Sequence, residues 1–280
     1  MKKSKIMSVF AAMIMAASSL TGCGGSDSEI TVISREDGSG TRGAFTELME
    51  ITVDDVDNTV ASAEISNSTS VVIQSVAGNS NAIGYISLGS LNDEVKAVSV
   101  DGTEATVDNI NSGEYKVARP FNIATKEDIS DLAADFVSFI MSADGQAIVE
   151  EKGYIKASDA GAYTPSDMSG TIVVAGSTSV APVMEVLADE YKKLNSGVTI
   201  EIQQTGSSAG MTSTIEGACD IGMASREVKD SEIQQGLVPT VIAMDGIAVI
   251  VNNDSEIDNL TSEQIKQIYT GEITDWSEIQ

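Results

Sequence analysis

The sequence predicts an α/β fold, and three observations predict it. Short apolar strands alternate with helical stretches along most of the 280 residues. Three turns rich in Gly, Ser and Thr each follow a strand and open a helix. One stretch, residues 156–170, has no apolar periodicity and separates two such runs as an exposed linker.

In chain order, Glu29–Ser34 reads as a strand, followed by the turn Asp37–Thr41 and a helical stretch from Arg42 to about Met49. Residues 69–77 suit a short helix ending at Gly78, and Ala82–Leu88 suits a buried strand. Residues 95–100 and 117–124 are further strand candidates. Ile129–Lys152 is expected as one helix, with Leu132, Phe136, Phe139 and Ile140 on one face and Gly153 closing it. After the linker come the strand Thr171–Ala175, the turn Gly176–Ser179 and a helix from about Val180 to Leu194. The strand Val198–Gln203 leads to the turn Gly206–Gly210 and another helix. Asp220–Ala224 is a short strand and Val241–Asn252 a strongly apolar one. Thr261–Tyr269 is helical, with Thr261 as N-cap and Glu263 and Gln264 in the first turn.

Composition narrows the chemistry. With 42 Asp+Glu against 16 Lys+Arg, the chain repels nucleic acid and anionic membrane surfaces, and neither is an expected partner. An anionic ligand would then have to be held by local hydrogen bonds. Histidine is absent, which removes the usual nucleophile–base pairs, the neutral-pH base and the commonest metal ligand. Neither an enzyme nor a metal or other cofactor is expected. The two cysteines are Cys23 and Cys219, and Cys219 is expected buried and without a disulfide partner.

The N-terminus reads as an export signal over residues 1–22. Lys2, Lys3 and Lys5 precede an apolar run from Ile6 to Ala17 that is too short to span comfortably. Leu20–Cys23 resembles a bacterial lipobox, which implies lipidation of Cys23, with residues 23–28 as the lipidated cysteine and its tether. The plainer alternative is an ordinary signal peptide with an incidental cysteine.

The three turns, Asp37–Thr41, Gly176–Ser179 and Gly206–Gly210, suit an oxyanion. A helix N-terminus leaves backbone N–H groups unpaired and carries about half a positive charge. Glycine permits close approach, and hydroxyls add donors. One such turn is explained by helix capping; three in one chain point to a shared anion. Arg35 can grip an oxyanion through two parallel hydrogen bonds, with Asp37 orienting it or simply pairing with it.

These residues also carry a resemblance. Ser34–Phe45 (SREDGSGTRGAF), Ala175–Pro182 (AGSTSVAP), Thr205–Gly210 (TGSSAG), Asp220–Glu227 (DIGMASRE), Thr270–Ile279 and Ala82–Ser90 resemble segments of the PstS family. Those are substrate-binding lipoproteins of phosphate ABC transporters. The resemblance covers nearly everything after Ser26. It implies a two-lobed, periplasmic-binding-protein-like (type II) fold with a ligand cleft between lobes. The order of segments departs from the family, whose GSTSVAP-like half usually comes first. This implies a circular permutation, or alternatively a fragment of a tandem duplication or a gene-assembly error. The lobes expected are residues 29–118 plus 246–280, and residues 119–245.

Carried over residue by residue, the resemblance implies phosphate contacts from Arg35, Ser39, Gly40 and Thr41 on one lobe and from Thr178, Ser179 and Ser207 on the other. Ser225 stands where family members place an Asp that accepts the proton of monohydrogen phosphate, so Ser225 is a contact that carries no charge. Asp245 is a candidate substitute acceptor; the alternative is a turn-forming Asp before Gly246. The partners implied are inorganic phosphate, a membrane permease and a lipid anchor, for a monomer outside the membrane. Sulfate, molybdate, or a non-transporting surface role remain alternatives.

Overall fold

The computed structural model describes residues 28–279. The expected signal peptide and the lipidated Cys23 lie outside the described residues. A ten-stranded sheet organises the chain, and its main path is Gly197–Gln204, Ser169–Gly176, Ile221–Ala224, Ala118–Lys126, Leu237–Asn252, Ala82–Ser87, Thr31–Arg35, Glu64–Ser66. The three strands at one end pair in parallel, as do the three at the other. Between them Ala118–Lys126 and Leu237–Asn252 run antiparallel to each other and to their outer neighbours.

Leu237–Asn252 is longer than its apolar run suggests because it serves both ends of the sheet. Its first part pairs with Ala118–Lys126, ending in the registers Asp245↔Arg119 and Gly246↔Ala118. From Ile247 it pairs with Ala82–Ser87 instead. The apolar core divides at the same place. One group, drawn from residues 121–243, includes Phe121, Phe136, Phe139, Met184 and Tyr191. Another, around Phe45, Tyr85, Tyr269, Ile247 and Val249, is drawn from residues outside that range. A third lies under Ile33, Val72, Val76 and Ile250. The buried aromatics belong to the first two groups, and in the second Phe45 stacks on Tyr85 with ring centroids 4.0 Å apart.

The expected single helix Ile129–Lys152 is two, Asp131–Met141 and Ala143–Glu151, inclined at 58°. Ser142 breaks it: its Oγ donates to the Phe139 carbonyl at 2.7 Å and accepts from the Gly145 N–H at 3.2 Å. It thus caps the new helix instead of continuing the old one. Gly153 closes the second helix at φ +80°. The linker is exposed but pinned, since Tyr163 Oη and Ser166 Oγ donate to Asp135 at 2.5 and 2.8 Å. Glu64–Ser66 was not expected as a strand, because three residues carry no readable alternation. Cys219 is buried and free.

The first and last described segments lie side by side. The Ile30 N–H donates to the Thr274 carbonyl at 2.8 Å, and the Trp276 N–H to the Ser28 carbonyl at 3.0 Å. Among the described residues, no single helix is long and apolar enough to cross a membrane.

Candidate functional site

Four helix starts converge where the two groups of the core face each other. They open the helices Gly40–Leu48, Thr69–Ala77, Ala181–Leu194 and Ser207–Glu216. The first two follow the parallel strands Thr31–Arg35 and Glu64–Ser66; the other two follow Ser169–Gly176 and Gly197–Gln204. Parallel strands deliver their carboxyl ends, and the helices they feed, to the same edge, the usual ligand crevice of α/β sheets.

The side chains at these starts touch across the crevice. Thr41 Oγ1 lies 2.9 Å from Ser179 Oγ and 3.1 Å from Ser225 Oγ. Arg35 Nη2 donates to Thr178 Oγ1 at 3.0 Å. Thr69 Oγ1 lies 3.2 Å from Ser179 Oγ and 3.4 Å from Thr178 Oγ1. The Ser208 N–H donates to the Gly38 carbonyl at 3.1 Å, joining the two sides through backbone as well. Arg35, Thr41, Thr69, Thr178, Ser179, Ser207 and Ser225 are all buried.

Several hydroxyls accept a hydrogen bond from behind. Ser225 Oγ accepts from Ser177 Oγ at 2.9 Å, and Ser207 Oγ from the Ser225 N–H at 3.2 Å. A hydroxyl has one proton. When its oxygen is engaged from outside the crevice, that proton is left to point inward. The arrangement presents donors to whatever enters.

Gly40 sits at the closest approach of the two sides. A Cβ there would stand 2.4 Å from Ser207 Oγ and 2.9 Å from Ser225 Oγ, so any larger residue must push one of these hydroxyls aside. Arg35 is fixed from below. Tyr85 Oη accepts from the Arg35 N–H at 3.2 Å and lies 2.9 Å from Ser34 Oγ, and burial pushes its phenol up to about 12.

Seven of the expected contacts are thus brought together: Arg35, Gly40, Thr41, Thr178, Ser179, Ser207 and Ser225. Ser39 is buried beside Gly40 and Thr41 as the N-cap of its helix, its Oγ accepting from the Arg42 N–H at 3.3 Å. The two aspartates expected at the site are placed elsewhere. Asp37 does not orient Arg35: it is exposed, and Glu36 instead receives the guanidinium at 2.8 Å on each carboxylate oxygen. Asp245 does not reach the hydroxyls. It forms a buried ion pair with Arg119, and burial raises its carboxyl while that guanidinium opposes the shift.

The residues missed are Glu36, Thr69, Arg119 and Ser177. Ser177 stood in a recognised turn. Asn67-Ser68-Thr69 is a fourth strand–turn–helix start, hidden because it has no glycine and follows a three-residue strand. Arg119 Nη2 donates to Thr41 Oγ1 at 3.2 Å, a contact no local pattern announces. Among the described residues no group of three or more Asp, Glu, Cys or His side chains is placed to hold a metal ion.

The profile of the PBP superfamily domain matches residues 1–144 and 161–280. The chain is similar to phosphate-binding protein PstS 2 of Streptococcus agalactiae, with 48% identity over 291 residues covering 100% of this chain and 99% of the relative. It is 45% identical to PstS 2 of Streptococcus pneumoniae over 99% of this chain and 100% of that one. A crystal structure of a phosphate ABC transporter phosphate-binding protein from Streptococcus pneumoniae is similar at TM-score 0.73 and 47% identity, covering 90% of this chain and 100% of that chain.

Proposed function

The chain belongs to the PBP superfamily and, within it, to the phosphate-binding proteins PstS, and from that premise we propose that it captures inorganic phosphate outside the membrane and delivers it to an ABC-type importer. One observation carries the reading: buried hydroxyls and a guanidinium from both sides of the crevice meet at hydrogen-bond distance, Thr41 with Ser179 and Ser225, Arg35 with Thr178. Donors brought together from both sides replace the hydration shell of a tetrahedral oxyanion, despite a net charge of −26. We read the cluster as a receptor and not an enzyme, with phosphate leaving as it came.

Residues 29–118 with 246–280 form one lobe of this receptor and residues 119–245 the other, hinged where Arg119 pairs with Asp245. Phosphate stabilises the closed arrangement by bonding to both lobes at once. Cys23 carries the lipid that anchors it, and a permease receives the ligand. The order of segments is that of a circular permutation, which chains tolerate when the old ends lie close and the new ones are exposed. The pairing of residues 28–30 with 274–276 supports this, and the alignment over the full chain means that the Streptococcus agalactiae relative shares the same order.

Ser225 is neutral, and Glu36 and Asp245 are each engaged by an arginine. Among the described residues, then, no unpaired carboxylate at the crevice is offered to the proton of monohydrogen phosphate, so sulfate is rejected weakly. The test is calorimetry on residues 24–280 with phosphate, sulfate and molybdate, together with a thermal melt. Phosphate binding with a monomeric, cooperative melt that rises with ligand is expected. An absence of phosphate binding refutes the receptor, and an unfolded chain or obligate swapped dimer refutes the permuted single domain.

A further inference from the structure

We propose that Arg119 is a positioning residue for the anion site: it holds the Thr41 hydroxyl as an inward donor, and does so only when the crevice is shut. This rests on the phosphate-receptor reading above and adds to it a residue that no motif in the sequence points to.

The geometry is asymmetric. Arg119 lies on Ala118–Lys126, opposite Asp245, where the two crossing strands pass between the two groups of the core. Its Nη1 is consumed on one side: it pairs with the Asp245 carboxylate and donates to the Gly246 carbonyl at 2.9 Å. The Gly89 N–H holds Asp245 Oδ1 from the other side at 3.4 Å. Arg119 Nε reaches the Ser225 carbonyl at 3.4 Å, and the guanidinium carbon lies 4.9 Å from the centre of the Phe121 ring. The group is therefore fixed to the crossing strands whatever the crevice does.

Of its groups, Nη2 is the one that reaches a crevice helix of the opposite lobe, donating to Thr41 Oγ1 at 3.2 Å. Thr41 belongs to the helix Gly40–Leu48, packed in the other group of the core. Opening the crevice carries Thr41 away from Arg119, and closing it restores the bond. A guanidinium has no acceptor, so in this bond Thr41 Oγ1 must accept. Its own proton is then directed to the side of Ser179 and Ser225, at 2.9 and 3.1 Å, which is where the oxyanion's oxygens have to lie. The positive charge of Arg119 also polarises that hydroxyl and makes it a stronger donor.

The test is a double-mutant cycle read by phosphate calorimetry. R119M alone leaves Asp245 buried without its partner and can fail to fold. R119M/D245L replaces the whole pair with apolar side chains, a change that buried ion pairs commonly tolerate. With this variant folded by its phosphate-free melt, its phosphate affinity is expected to fall roughly tenfold or more, the size of one lost hydrogen bond to a charged group. T41V in the wild-type background should lose a similar factor. In the R119M/D245L background T41V should lose far less, because the hydroxyl is no longer held. A merely structural role for Arg119 predicts independent, multiplying losses. Multiplying losses, or wild-type affinity in R119M/D245L, overturns the proposal. If wild-type protein itself fails to bind phosphate, the receptor reading falls and this one with it.

Discussion

Replacing Gly40 with alanine should separate folding from binding. Gly40 opens the helix Gly40–Leu48 and does not use a positive φ. Alanine therefore costs nothing in backbone strain and favours the helix by up to about 1 kcal/mol. The penalty comes from across the crevice. The new methyl would stand 2.4 Å from Ser207 Oγ, where ordinary contact begins at 3.4 Å, so something must shift. Ser207 can rotate its hydroxyl away, which breaks the bond from the Ser225 N–H, or the two sides can part. Either response removes at least one donor from the anion, worth about 1.5–3 kcal/mol for a bond to a charged group. The expected result is a roughly ten- to hundredfold weaker phosphate affinity by calorimetry. A ligand-free melting temperature equal to or above wild type should accompany it. Wild-type affinity in G40A would refute the claim that the two sides meet at this residue.

Three further outcomes are expected. E36Q should weaken phosphate binding several-fold by loosening the fork that holds Arg35, whereas D37N, at an exposed position, should leave calorimetric affinity near wild type; the reverse ranking would restore Asp37 as the orienting group. T69V keeps the side-chain volume but removes the hydroxyl near Ser179 and Thr178, and should cost about 1 kcal/mol of phosphate binding with little change in the unliganded melt. Glu232 supplies the pH test: burial pushes its carboxyl up, but Arg226 and the Lys229 N–H outweigh that and hold it below its ordinary 4.5. A carboxyl held low contributes stability above its unfolded value and loses it as pH falls through the folded one. The stability gap between wild type and E232Q in urea melts should therefore be present at neutral pH and close in acid below about 4.5.

The features legible from neighbouring residues were local ones. A Gly-, Ser- and Thr-rich turn after a strand is a helix start wherever it lies, because capping and left-handed backbone depend on a few consecutive residues. Hence Thr41, Thr178, Ser179 and Ser207 were legible, and so was Arg35 beside the first turn. Which group faces which depends on how the strands are arranged in space. Glu36 and Asp37 are neighbours with the same chemistry, and the direction of the chain leaving Thr31–Arg35 gives Arg35 to one and solvent to the other. Arg119 and Asp245 are 126 residues apart, and they meet because strand register sets them opposite each other. Thr69 joined the cluster through the parallel pairing of a three-residue strand too short to be read in isolation. Capping energies are short-ranged along the chain, whereas the pairing of buried charges and hydroxyls is short-ranged in space. Only folding brings those two kinds of nearness together.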